Sequence, residues 1–155
     1  MSLTDIKARI VTVLQGVSGI GQVYPRTRLV NIEAVQISDF VANGVLNTWF
    51  VSRSASDIEE IGSIHHIAPQ WDTISVHGFY AAKDSDESET AFDELADAAL
   101  KGVHDDSNYP SLFAGTIRVA EAPKIRTIDY RHFGVSKVLC HHTEITIRVM
   151  SRIME

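Results

Sequence analysis

The last part of the chain carries the pattern that most restricts its fold. In the stretch VLCHHTEITIRVM, residues 138–150, the side chains fall into two alternating sets. The first set becomes apolar along the stretch and contains Leu139, His141, Thr143, Ile145, Ile147 and Val149. The second set becomes charged and contains Cys140, His142, Glu144, Thr146 and Arg148. Successive side chains of a β-strand point to opposite faces, so this alternation predicts a half-buried strand of an antiparallel sheet.

The same stretch also holds groups that bind metals or act as nucleophiles. Cys140, His142 and Glu144 share one face of the predicted strand, spaced about 6.6–6.8 Å per two residues. Two such ligands can meet one Zn²⁺, and the missing ligands would come from His65, His66, His77 or His132. A nucleophilic Cys140 would need His142 within about 3 Å, which neighbouring positions on one strand do not provide by default. The pattern therefore favours a structural strand and leaves a metal site as the alternative.

Two segments have the periodicity of amphipathic helices. Apolar residues recur at helical spacing over residues 3–17, with Ser2 or Thr4 as a cap and Gly16 as a predicted end. A second helix is predicted in the stretch KDSDESETAFDELADAALKGV, residues 83–103, where Asp86 and Glu89 resemble a capping box. Its apolar stripe contains Phe92, Leu95, Ala96, Ala99, Leu100 and Val103, and Gly102 marks its predicted end. Both helices need a covering layer for their apolar sides.

The remaining segments favour strands. We predict strands at residues 45–53 and 71–82, followed by two short strands separated by a turn at Pro123 and Lys124. The dipeptide Asn43-Gly44 fits either a hairpin turn or the end of a short helix capped by Ser38, and the short helix is preferred. Clustered strands indicate an α+β fold, an antiparallel sheet with two main helices packed on one face, in a single domain covering residues 1–155.

Composition narrows the functional classes. The chain has 155 residues and a formal net charge of −6, which argues against gripping nucleic acid through phosphate contacts. Its single cysteine, Cys140, allows no internal disulfide, and no apolar run approaches the roughly 20 residues of a membrane span. We expect a soluble cytoplasmic domain that is not an enzyme, with no catalytic residue, no cofactor and no bound metal. Trp49 and Trp71 are expected to be core or interface aromatics.

Four stretches, in order, resemble the tail terminator, or tail completion, proteins of tailed bacteriophages. They are the first helix running into GVSGIGQVYPRTR, the stretch ISDFVANGVLNTWFVSR, the stretch GFYAAKDSDESETAFDELADAAL and the terminal HFGVSKVLCHHTEITIRVM. Together they span most of the chain. Their order and the total length carry the resemblance, since none of the motifs is catalytic.

The resemblance implies a structural virion protein. Such proteins form a hexameric ring on the head-proximal end of the tail tube, stop tube polymerisation and present a head–tail joining surface. The implied partners are further copies of the chain, the tail tube protein, a head–tail connector or neck protein, and the sheath protein of a contractile tail. DNA would pass through the lumen without specific binding, and assembly would occur in the host cytoplasm. The closest alternative is another connector or neck protein.

Six residues are candidates for the subunit or partner interface. They are Trp49 and Phe50 in an aromatic strand, His65 and His66 in a loop, and Cys140 and His142 in the last strand. The less favoured alternative is a small metal-binding domain that uses Cys140, His142 and Glu144.

Overall fold

The computed structural model describes residues 3–27, 37–59, 68–83, 87–107, 119–134 and 137–154. The helices are α1 (Leu3–Gln15) and α2 (Ser88–Ser107), and a short 3₁₀ helix spans Ile37–Phe40. The strands are β1 (Gln22–Tyr24), β2 (Val41–Ala42), β3 (Val45–Ile58), β4 (Ala68–Ala81), β5 (Val119–Phe133) and β6 (Val138–Met154). The predicted α+β class is confirmed. No helix of the described segments is both long and apolar enough to cross a lipid bilayer.

The strands form one six-stranded sheet in the order β1-β3-β4-β6-β5, and β2 pairs with β3. The four long strands pair antiparallel to their neighbours, as predicted. The short strand β1 pairs in parallel with β3, so the complete sheet is mixed. Among the described residues, no strand lies beyond β5, which therefore forms one edge of the sheet.

Both helices pack on the same face of this sheet and build the main core. The core residues from the helices are Ile6, Ile10, Leu14, Phe92, Leu95, Ala99 and Val103. Those from the sheet are Val23, Trp49, Val51, Ile74, Val76, Ile145, Ile147 and Val149. Trp49 crosses over Gly78 so closely that a Cβ there would lie 2.5 Å from the indole ring. Gly78 thus permits a large aromatic to lie flat on the centre of the sheet.

A smaller apolar cluster occupies the opposite face at one end of the sheet. Its buried residues are Phe40, Leu46, Phe50, Phe133 and Cys140, and Tyr24, Phe79, Ala81 and Val138 pack against them. Phe40 and Phe133 meet edge to face with ring centroids 5.1 Å apart, a favourable aromatic geometry. Trp49 and Phe50 are consecutive on β3, so the two faces of the sheet receive one aromatic each.

The preferred interpretation of Asn43-Gly44 is wrong, and the hairpin alternative is correct. Ala42 pairs directly with Val45, and the two intervening residues have positive φ angles of 53° and 77°. That combination is a type I′ hairpin turn, whose twist matches the flanking strands. The 3₁₀ helix does form, but it ends at Phe40 and β2 separates it from Gly44.

Other predicted boundaries also differ. β3 continues beyond its predicted end at residue 53 to Ile58, because pairing with β4 supplies the hydrogen bonds of the added residues. α2 continues beyond Gly102, which packs against Val17 of the segment after α1.

The predicted turn at Pro123 and Lys124 is wrong as well. β5 runs through both residues as one strand, with register shifts between positions 119 and 127. Proline is tolerated there because β5 lies at the sheet edge. An edge strand has a hydrogen-bonded neighbour on one side only, so the missing N–H of Pro123 interrupts no pairing on the outer side.

Candidate functional site on the two faces of the last strand

The structure places four of the six candidate interface residues inside the chain itself. Trp49, Cys140 and His142 have 0% of their surface exposed, and Phe50 has 3%. A side chain without exposed surface cannot touch a second subunit in this conformation. Their burial therefore corrects the expectation that these four face a neighbour. The remaining candidates, His65 and His66, lie outside the described residues.

On the face opposite the helices, four titratable side chains form a continuous chain across three strands. Asp129 Oδ1 lies 2.6 Å from His142 Nδ1, and His142 Nε2 lies 3.0 Å from His77 Nδ1. His77 Nε2 then lies 3.7 Å from Glu144 Oε2. The strand register produces this order, because Asp129 pairs with His142 and His77 pairs with Glu144. We call these four residues the relay chain.

The hydrogen-bond partners fix the proton positions in the neutral relay chain. A carboxylate only accepts hydrogen bonds, so His142 Nδ1–H donates to Asp129. His142 Nε2 then accepts the hydrogen bond donated by His77 Nδ1–H. This leaves His77 Nε2 unprotonated and directed at Glu144, so an added proton at that nitrogen would face a carboxylate.

Burial dominates the titration of the two histidines. It lowers the pKa of His142 below its usual 6.5, although the hydrogen bond from His142 to Asp129 acts in the opposite direction. Burial likewise lowers the pKa of His77, against the raising effect of Glu144. Burial acts to raise the pKa of Asp129, but its hydrogen bond from His142 and the charge of Arg131 lower it overall. The relay chain thus holds two neutral histidines at neutral pH, and His142 lies beside the ionised Asp129.

This geometry does not assemble the alternative metal site. Both ring nitrogens of His142 are engaged, one by Asp129 and one by His77. Cys140 instead packs in the aromatic cluster, where burial raises the pKa of its thiol to about 12. A protonated, fully buried thiol is neither a metal ligand nor a nucleophile. Within the described segments, no three His, Cys, Asp or Glu side chains converge to hold a metal ion.

The helix-side face of the same strand holds a different site around His141. Its Nε2 lies 2.8 Å from Ser88 Oγ, at the first residue of α2. The imidazole lies between Phe92 and Tyr130, with ring centroids at 5.6 and 4.8 Å. A cavity of about 590 Å³ opens beside Ser88 and His141. Its lining residues are Ala82, Lys83, Glu87, Ser88, Glu89, Thr90, Tyr130, Leu139 and His141.

Sequence reasoning missed the partners of both histidines. Ser88 is 53 positions from His141, and His77 is 65 positions from His142. The period-two pattern assigned each histidine to the correct face, but only the strand register and the docking of α2 bring its partners close. The position of Ser88 just before an apolar helical stripe was the one available local signal.

The sheet edge beside the cavity exposes apolar side chains. Ile128 is 59% exposed, Tyr130 55% and Leu139 45%, although each is a large hydrophobic residue. Ile128 and Tyr130 lie on the edge strand β5, and Leu139 lies on its neighbour β6. We call these three residues the edge patch. Large apolar groups clustered at an exposed sheet edge mark a surface suited to association.

Comparison with known proteins assigns no family, since neither a protein-family model nor a curated protein matches the chain.

Proposed function

We propose that the chain is a structural virion protein that forms a hexameric ring on the head-proximal end of a phage tail tube. In this role it ends tube polymerisation and provides the head–tail joining surface. The α+β fold with both main helices on one sheet face is the fold that the sequence pattern predicts. The observation that carries the proposal is the edge patch, because a ring requires each subunit to offer an adhesive edge.

The position of the edge patch suits a ring-forming contact. A ring is built from a heterologous contact, in which one surface of a subunit meets a different surface of the next. The edge patch lies at the β5 end of the sheet, and the opposite end is formed by β1 and the outer half of β3. These two ends differ in residues and in strand length, so they are not self-complementary. A contact between unlike ends propagates around a ring instead of stopping at a dimer.

The charge of the chain is compatible with DNA passing through the ring. Each chain carries a formal charge of −6, so six copies carry −36. Like-sign repulsion would keep DNA from adhering to the lumen during ejection. A basic lumen would instead bind the phosphate backbone and slow the passage.

Native mass spectrometry over a concentration series, with and without added Zn²⁺, tests the proposal. A metal-free hexamer, or a monomer that becomes a hexamer at high concentration, is the expected result. A monomer at every concentration that carries one stoichiometric Zn²⁺ would overturn the ring and revive a metal-binding function. Cosedimentation with tail tubes then separates a terminator, which binds tube ends, from a neck protein, which binds the head connector.

The substitution Ile128→Asp tests the edge patch directly. A carboxylate placed in a buried apolar contact is strongly unfavourable. The apparent association constant of the hexamer should therefore fall by at least about tenfold. Lys101→Asp introduces the same side chain on the exposed side of α2 and serves as the matched control. Equal loss of hexamer in both variants, or in neither, would show that the edge patch is not the subunit contact.

A further inference from the structure

The cavity beside α2 places a serine and a histidine in the relation that nucleophilic catalysis requires. Ser88 Oγ and His141 Nε2 are 2.8 Å apart, within the range for a nucleophile and its general base. Both residues line the cavity, and each is 5% exposed. The cavity volume of about 590 Å³ falls in the usual range for small-molecule sites. The relay chain and the edge patch use neither residue.

The hydrogen bonds around Ser88 leave its hydroxyl hydrogen free to donate to His141. The backbone N–H of Lys83 donates to Ser88 Oγ at 2.8 Å, so one lone pair of this oxygen is occupied. In the His141 tautomer that carries its proton on Nδ1, the hydroxyl hydrogen is available for the unprotonated Nε2. In this arrangement His141 is positioned to take the proton as Ser88 attacks, which is the function of a general base.

The surroundings of His141 hold its ring in place without a carboxylate. Phe92 stacks on the imidazole at an interplanar angle of 19°, and Tyr130 contacts it at 45°. Among the described residues, the imidazole has a hydrogen bond to Ser88 and to no other group. An ionised partner would stabilise the imidazolium that forms during attack. Without one, the pair suits carbonyl groups with good leaving groups, such as esters and thioesters, better than amides.

The first turn of α2 places backbone N–H groups that have no acceptor within the helix beside the cavity. The first intrahelical bond is donated by the N–H of Ala91 to the carbonyl of Glu87. The N–H groups of Glu89 and Thr90 precede it, so the helix itself offers them no acceptor. Both residues line the cavity beside Ser88. Backbone donors next to a nucleophile are the usual components of an oxyanion hole.

We propose that Ser88 is a nucleophile that accepts an acyl group from an activated ester or thioester, with His141 as its general base. Ser88 Oγ forms a bond to the carbonyl carbon while its proton passes to His141 Nε2. The bond from that carbon to the leaving oxygen or sulfur then breaks, and His141 returns the proton to the departing alcohol or thiol. Water, deprotonated by His141, hydrolyses the acyl-serine to a carboxylic acid and restores both residues. The proposal does not rest on the ring function, although Tyr130 and Leu139 of the edge patch also line this cavity.

Labelling of the intact wild-type protein by a fluorophosphonate probe provides the test. The probe forms a phosphonyl-serine with loss of fluoride, and peptide mass spectrometry locates it. Ser88 should be labelled at least about 100-fold faster than the exposed Ser56, the gain typical of a positioned general base. Labelling should also slow on acidification, because a protonated His141 cannot accept the proton. p-Nitrophenyl acetate hydrolysis gives a parallel readout of turnover.

Two variants separate chemistry from structure. His141→Gln keeps a hydrogen-bond acceptor for Ser88 but removes the base, so the protein should stay folded. The labelling rate of Ser88 should fall about 100-fold and should no longer depend on pH. Ser88→Cys should be alkylated by iodoacetamide in the folded protein, whereas Cys140 stays protected by burial. No labelling of Ser88 in the wild type, labelling no faster than that of Ser56, or an unchanged rate in His141→Gln would each overturn the proposal.

Discussion

His141 and His142 are neighbours in the chain and nearly equal in burial, yet they belong to chemically different sites. His141 is 5% exposed and His142 is 0% exposed. One lies on the helix side of β6 with a hydroxyl partner, one stacked aromatic ring and one tilted aromatic ring. The other lies on the opposite side between an aspartate and a second histidine. The comparison shows that a one-residue step along a strand can separate an acid-sensitive structural network from a site with an accessible cavity.

The difference comes from what each face of β6 is packed against. The helix side brings the start of α2 to His141, and a helix start supplies hydroxyl and N–H groups. Among the described residues, the other side brings side chains of β4 and β5 to His142, and the strand register aligns His77 and Asp129 with it. His142 therefore has both ring nitrogens satisfied within the protein, whereas His141 uses one for Ser88.

Among the changes that test this comparison, truncation of the two histidines should have the largest effect, which is on the free energy of unfolding. We expect His142→Ala to destabilise the fold by about 3 kcal/mol, because it opens a buried cavity and removes a partner from both Asp129 and His77. His141→Ala should cost about 2 kcal/mol, since Ser88 can turn its hydroxyl toward the cavity and bind water. Urea unfolding followed by circular dichroism measures both. A larger loss for His141→Ala would mean that the relay chain contributes little to stability.

Removal of one hydrogen-bond partner from each histidine should change the pKa of His142 or the free energy of unfolding by less than truncation of the histidines does. Asp129→Asn keeps the shape of the side chain but removes the charge that favours protonated His142, so the pKa of His142 should fall further. Ser88→Ala removes the acceptor for Lys83 N–H and should cost about 1 kcal/mol, with the pKa of His142 unchanged. Histidine proton chemical shifts recorded against pH give these pKa values. A rise in the pKa of His142 in Asp129→Asn would contradict the proposed proton positions.

The smallest expected effect is the pH dependence contributed by the relay chain. His77 and His142 have pKa values lowered from 6.5 in the folded protein, so below that pH the unfolded chain binds more protons than the folded one. Their contribution to the free energy of unfolding is complete above pH 6.5 and is lost as the pH falls toward the pKa values of the folded protein. Unfolding free energies at pH 7.5, 6.5 and 5.5 should therefore decrease in that order. His142→Gln, which cannot be protonated, should make this decrease shallower, and an unchanged slope would exclude His142 as its source.

The sequence predicted local features well and long-range ones poorly. The alternation of residues 139–149 predicted both faces of β6, because a strand has a fixed period whatever its neighbours are. Asn43-Gly44 was misassigned because the same dipeptide ends helices and closes hairpins, and only pairing between β2 and β3 decides between them. Pro123 was taken for a turn because its tolerance depends on β5 lying at the sheet edge. The partners of His141 and His142 depend on register and helix docking, which no local pattern encodes.

The register shifts of β5 have a consequence for how the protein avoids uncontrolled aggregation. Between positions 119 and 127 the strand is irregular and contains Pro123, so this half of the edge offers a broken ladder to any incoming strand. Residues 127–133 pair regularly with β6 and carry Ile128 and Tyr130. An unrelated extended segment would therefore find a regular ladder only along residues 127–133. The irregular half of the edge resists strand addition, while a partner of the correct shape can still reach the short regular segment.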